Sequence, residues 1–179
     1  MDLHQIQVIY QAEEDRLLCR ASFKGEDGSL QEIRTWLTRR LLKVFWPGIA
    51  DALEKQVALD KPQAAHASAD IVGMEHHASL ETLKESGSYG NPYQNNAQTF
   101  PFGNVPILIQ QVQFIQNPAQ PICINLVSAQ GHRLEIRFTL TMLHGFCSLL
   151  KDAVKQAEWD LRLAMPGSST LPTMAMALN

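Results

Sequence analysis

The chain has 179 residues, 45% of them hydrophobic and 18% charged, with a formal net charge of −3 and a sequence pI of about 6.0. That balance suits one globular domain, or two small halves sharing a core, and excludes a strongly basic nucleic-acid binder. No apolar run reaches the ~20 residues that cross a bilayer, and Met1-Asp2-Leu3-His4-Gln5 lacks the basic and apolar regions of a signal peptide, so no membrane partner is expected.

Cys19, Cys123 and Cys147 are an odd count with no CxxC spacing, and they read as reduced thiols in a cytoplasmic protein. Along the chain, residues 5–11 alternate, with Ile6, Val8 and Tyr10 on one face and glutamines on the other, the period of a half-buried strand. Glu13-Glu14-Asp15 is a polar turn into a second strand over residues 17–23, and Gly25 to Ser29 is a tight connection into a third, from Leu30 to about Trp36. Thr38 then fits a helix N-cap, flanked by Leu37 and Leu42 at hydrophobic-staple positions. Leu41, Val44, Phe45, Ile49, Ala52 and Leu53 follow at helical spacing, and Pro47 predicts a kink or two short helices. A weaker helix is expected within residues 63–85, facing inward through Ile71, Met74, Ala78 and Leu83. Residues 87–106 form an extended connection whose four aromatics imply that it lies packed across the surface.

The second half repeats this order. Residues 112–116 and 122–127 read as strands, with Cys123 matched to Cys19, and a third strand runs from Arg133 to Leu140. Thr141 is expected to cap a last helix whose face carries Leu143, Cys147, Leu150, Val154 and Leu161. Glu32-Ile33-Arg34 and Glu135-Ile136-Arg137, each with Leu-Thr at the same offset, tie the halves together. The expected fold class is therefore α+β: a duplicated β-β-β-α unit, two antiparallel meanders each followed by a helix, related by a pseudo-twofold axis. The segments are residues 1–60 (first repeat), 61–106 (helix and connection), 107–165 (second repeat) and a frayed tail at 166–179, in one compact domain.

Chemistry is sparse. His144 and Cys147 stand at i, i+3 but supply only two ligands, so no metal site is expected, and a packed helix face explains them better. The same pair inside an apolar stripe is a poor nucleophile and base. No GxxxxGK[S/T], GxGxxG or GxSxG occurs, so no cofactor and no catalytic residue is assigned, and the chain reads as a non-enzyme. The most functional-looking feature is basic: Arg34, Arg39, Arg40 and Lys43 at the strand-helix junction near Trp36 and Trp46, with Arg137 repeated in the second half. Such a cluster holds phosphates, unless it is a solvated helix face over core tryptophans.

His4-Gln5-Ile6, Glu14-Asp15-Arg16-Leu17-Leu18 and Trp36-Leu37-Thr38-Arg39-Arg40 resemble a group of small uncharacterised bacterial proteins, and the likeness extends through Pro106-Ile107-Leu108 and Ala157-Glu158-Trp159. That resemblance implies a bacterial cellular setting and no site. At the level of architecture alone, the duplicated unit is similar to Whirly-type single-stranded-DNA-binding proteins. The sequence thus reads as a non-catalytic binding or protein-interaction protein that self-associates through exposed sheet edges. The alternative is single-stranded nucleic-acid binding through the sheet and the basic junction.

Overall fold

Six stretches whose apolar residues recur every second position form the strands of one sheet. They are β1 (Asp2–Gln11), β2 (Arg16–Lys24), β3 (Leu30–Leu37), β4 (Ile107–Ile115), β5 (Ile122–Ser128) and β6 (Arg133–Phe138). A computed structural model describes residues 2–168. The sheet order is β1-β2-β3-β4-β5-β6, antiparallel within each group of three. A short parallel contact, Thr35 with Ile107 and Trp36 with Leu108, joins the groups. The protein is thus α+β, a six-stranded mixed sheet with three helices. The meanders meet edge to edge instead of stacking as two separate sheets.

Residues pointing to one side of the strands, among them Val8, Leu17, Cys19, Ala21, Ile33, Leu37, Ile124, Leu126, Ile136 and Phe138, form a single core with the helices. Helix α1 (Arg39–Asp60) begins at Thr38, whose hydroxyl accepts from the Leu41 N–H at 3.1 Å. Helix α3 (Leu140–Gln156) begins at Thr139, which accepts from the Met142 N–H at 3.3 Å. The expected cap at Thr141 is two residues late. A two-residue slip keeps every side chain on its own side of a strand, so the alternation gives no warning of it.

Pro47 does not divide the first helix, which runs continuously for 22 residues. Gly48 beside it admits the Phe114 ring, whose Cε2 would sit 2.6 Å from an added Cβ. Each long helix leans on the other half: α1 contacts β4 and α3 contacts β1. The Gln116 side-chain amide donates to the Ala52 carbonyl at 2.6 Å, and the Gln56 amide donates to the Asn117 carbonyl at 3.0 Å. Neither helix simply backs its own strands.

A 3₁₀ turn over Pro62–Ala67 leads into α2 (Ser68–Glu85). The buried face of α2 is Val72, Gly73 and His76, whereas Met74, expected inward, is 61% exposed. The amphipathy of this stretch is too weak to fix its rotation, and packing of Gly73 against the backbone of Pro166 and Gly167 does so instead. The last helix ends at Gln156, so Leu161 lies beyond it. There Trp159 is buried, donates its indole N–H to Asp15 at 2.8 Å and meets Tyr10 edge to face. Only residues up to 168 of the expected tail are described; 169–179 lie outside the described residues.

Candidate interaction surface

Side chains on the outer side of the first meander form cross-strand rows set by the register: Gln5, Ser22 and Glu32 in one, Gln7, Arg20 and Arg34 in the next. Glu32 is 1% exposed, which for a lone carboxylate would be prohibitive. It is held by Arg20 Nη2 at 2.9 Å, Arg34 Nε at 2.6 Å and the Tyr93 hydroxyl at 2.9 Å. Burial alone would raise its pKa, but the bonds from Arg20, Arg34 and Tyr93 outweigh burial and hold the carboxyl below its ordinary value. Tyr93 is pushed the other way, by burial first and by the Glu32 bond second.

Tyr93 belongs to the long connection, which crosses this face as a strap. Arg20 lies 4.1 Å over the Tyr93 ring and Arg34 lies 5.0 Å over Phe100, both cation–π contacts. The Gln5 side chain brackets the strap's backbone, donating to the Gln94 carbonyl at 2.8 Å and accepting from the Gln94 N–H at 3.1 Å. Gln98 N donates to the Leu30 carbonyl and Glu32 N to the Thr99 carbonyl, so the strap also seals the first part of the β3 edge. The other two aromatics of the connection are anchored as well. The Tyr89 hydroxyl lies 2.9 Å from the Ser148 hydroxyl and donates to Asp152, and Phe102 packs on the His132 ring.

These contacts decide the fate of the basic junction. Arg34 is engaged by Glu32, Phe100 and the Asn104 carbonyl, and Trp46 is a core residue bonded to the Ala164 carbonyl. Trp36 is half-buried in the sheet beside Leu108. What faces water is Arg39, Arg40 and Lys43 on the first turns of α1. Arg40 borders an open groove of about 550 Å³ shared with Thr38, Leu41, Val44, Leu108, Ile109 and Gln110. Arg137 is exposed on β6, three strands from Arg34, and pairs with Glu135 at 2.9 Å. The structure therefore keeps Arg39, Arg40 and Lys43 together and sets Arg34 and Arg137 apart from them.

The connection reaches the second meander at His132, under Phe102, and leaves the ends of its outer rows exposed. Those rows, Gln111 with Val127 and Arg133, and Gln113 with Asn125 and Glu135, end on exposed side chains at both edges. Ile115 beside them is also exposed. Cys123 faces this outer side whereas Cys19 faces the core, so the sequence match between them is one residue out of register.

His144 and Cys147 are both buried, and among the described residues no three His, Cys, Asp or Glu side chains gather as a metal site. His144 instead meets His76 of α2, Nδ1 to Nδ1 at 3.3 Å, and the His144 Nε2 is buried without a partner. Burial drives both imidazoles down to about 4, helped at His76 by the neighbouring His144, Lys151 and His77, so both are neutral at pH 7. Sequence reasoning missed this pair, since the two residues are 68 positions apart on separate helices. It also missed the Glu32 cluster, for which the signal was present: three outward-facing charges on adjacent strands beside an uncharged, aromatic-rich connection. No family model, curated protein or solved structure matches the chain. Among the described residues, no helix is long and apolar enough to cross a membrane.

Proposed function

We propose that the chain is a non-catalytic, self-associating protein-interaction module that works through the second meander, and that its halves are copies related by a pseudo-twofold axis. One observation carries the functional part: the polar outer side of the first meander is roofed by the chain's own strap, while that of the second lies bare with its charges at the rim. Strand-mediated association uses the unpaired N–H and C=O groups of a sheet edge, and at the rim of this surface Arg133 turns its own away from β5. The duplication rests on matched irregularities. β1 is bulged between Leu3 and Gln5 and β4 between Ile109 and Gln111, and each half closes on a threonine-capped helix. Aligned on those features, Glu32 corresponds to Arg133 and not to Glu135, so the shared Glu-Ile-Arg is displaced by two residues. Sedimentation velocity over a wide concentration range tests self-association. Concentration-dependent dimer that Glu135→Lys shifts toward monomer supports it, and a monomer throughout contradicts it.

A second reading, single-stranded nucleic-acid binding, keeps one favourable observation: Arg39, Arg40 and Lys43 share one exposed turn beside the Arg40 groove. With Arg34 and Trp46 committed elsewhere, three cations remain for phosphates. A salt slope of about −2 in log–log form is expected for a single-stranded oligonucleotide if all three engage. No binding at low salt, or binding unchanged by Arg40→Glu with Lys43→Glu, excludes this reading.

A further inference from the structure

Resting on the reading of the second meander as an interaction surface, we propose that it receives an extended, carboxylate-bearing segment of a partner protein, laid along the edge of β6 at Arg133 in the way the strap lies along β3; β6 also contacts β1. The first meander is the template. There the edge of β3 bonds Gln98 and Thr99 through the Leu30 carbonyl and the Glu32 N–H, Gln5 grips the Gln94 backbone, and Glu32 takes the Tyr93 hydroxyl.

The second meander repeats two of these three devices. The His132 carbonyl accepts from Ser128 N at 3.0 Å and so points toward β5. Successive strand residues alternate, and Arg133 therefore turns its N–H and C=O away from β5, toward the edge. Arg133 stands six residues before the Thr139 cap, as Glu32 stands six before Thr38. Gln111 follows its bulge as Gln5 follows the other, in the same cross-strand row, and is exposed.

The third device is inverted, because an arginine replaces the glutamate. A segment over Arg133 must bring an acceptor where Tyr93 brings a donor. Glu135 does not fill that role, being paired with Arg137 at 2.9 Å. The amides of Gln111, Gln113 and Asn125 suit a polar, extended chain, and the guanidinium of Arg133 selects the carboxylate upon it.

The test uses the full chain, labelled for amide resonances, and two peptides with the sequence of residues 90–100, one natural and one carrying Tyr93→Glu. The acidic peptide is expected to shift the amides of Gln111 and Arg133 and to bind about threefold tighter than the natural one, the scale of a solvent-facing charge pair. Arg133→Glu should reverse that preference, whereas Gln5→Ala should leave it intact. Absence of binding at millimolar peptide, shifts confined to β3, or a preference untouched by Arg133→Glu overturns the proposal. A chain that self-associates through Glu135 yet ignores both peptides refutes the segment chemistry and spares the surface. A chain that does neither refutes both.

Discussion

Replacing Glu32 by glutamine keeps the shape of the side chain and removes the charge on which the strap is built. The carboxylate accepts four bonds: two from Arg20, one from Arg34 and one from Tyr93. An amide has a single acceptor oxygen, and its NH2 faces donors. Breaking a buried ion pair by removing one partner costs about 3–5 kcal/mol. The two arginine side chains keep 15% and 29% of their exposure, so water compensates part of the loss and about 2–3 kcal/mol is expected. With an m-value of about 2 kcal/mol/M, urea unfolding at pH 7 should shift by roughly 1 M. Glu135→Gln, compared at a concentration where the chain is monomeric, is the internal control. It breaks the i, i+2 pair with Arg137 on the open meander, where both partners are well exposed, and should change stability by less than about 0.5 kcal/mol. Equal effects from the two substitutions, or a Glu32→Gln shift no larger than the control, would refute the view that the strap is clamped by a buried anion.

Three further outcomes follow from the same packing. The His76–His144 pair is neutral when folded and takes up protons when unfolded, so the unfolded state binds more protons as pH falls. Stability should therefore decline from about pH 6.5 toward 4, and a displacement from 6.5 to about 4 corresponds to about 3 kcal/mol per imidazole. Urea midpoints at pH 7 and 5 should differ by more in the natural chain than in a His76→Phe variant, and equal differences would contradict the assignment. Burial pushes the Cys19 and Cys147 thiols up to about 12, while Cys123 is half-buried on the outer side of the sheet. A chromogenic disulfide reagent should titrate one thiol in the native protein and three in denaturant; a Cys123→Ser chain that still reacts when native would oppose this. Gly48→Ala adds a methyl 2.6 Å from Phe114, and the overpacking should exceed the roughly 1 kcal/mol gained in helix propensity, for a net loss of about 1 kcal/mol in thermal or urea unfolding.

Much of the fold was legible because it depends on periods that survive in a single sequence. Alternation placed all six strands, and helical spacing placed α1 and α3, with the cap of α1 at Thr38. What failed were quantities that those periods do not encode. Thr139 and Thr141 are two residues apart, and a shift of two leaves the inward set of β6 unchanged, so the cap was misassigned without disturbing Leu134, Ile136 or Phe138. Matching Cys19 to Cys123 was an odd shift, and it put a core residue opposite a half-buried one on the outer side of the sheet. The rotation of α2 was unreadable because its contacts are tertiary: His76 turns inward to meet His144, and Gly73 to meet residues 166 and 167. For the basic junction, the neighbours of its residues were not legible. Arg34 looked free because its partner Glu32 seemed to be one more alternating strand residue, and because Tyr93 and Phe100 were known only to pack somewhere. The bare second meander could not be read from its own sequence at all, since its exposure reflects where the strap goes.

Amide hydrogen exchange resolved to single residues tests the central claim most directly, because that claim is a contrast between two backbone N–H groups, each six residues before a helix-capping threonine. Glu32 N–H, bonded to the Thr99 carbonyl at 2.9 Å under the strap, should exchange slowly, with protection approaching that of the core strands. Arg133 N–H, turned away from β5, should exchange orders of magnitude faster in the isolated monomer and slow when the acidic peptide is added. Equal protection of the two in the free monomer would mean that the second meander is already covered, and the assignment of its open side as the interaction surface would be wrong.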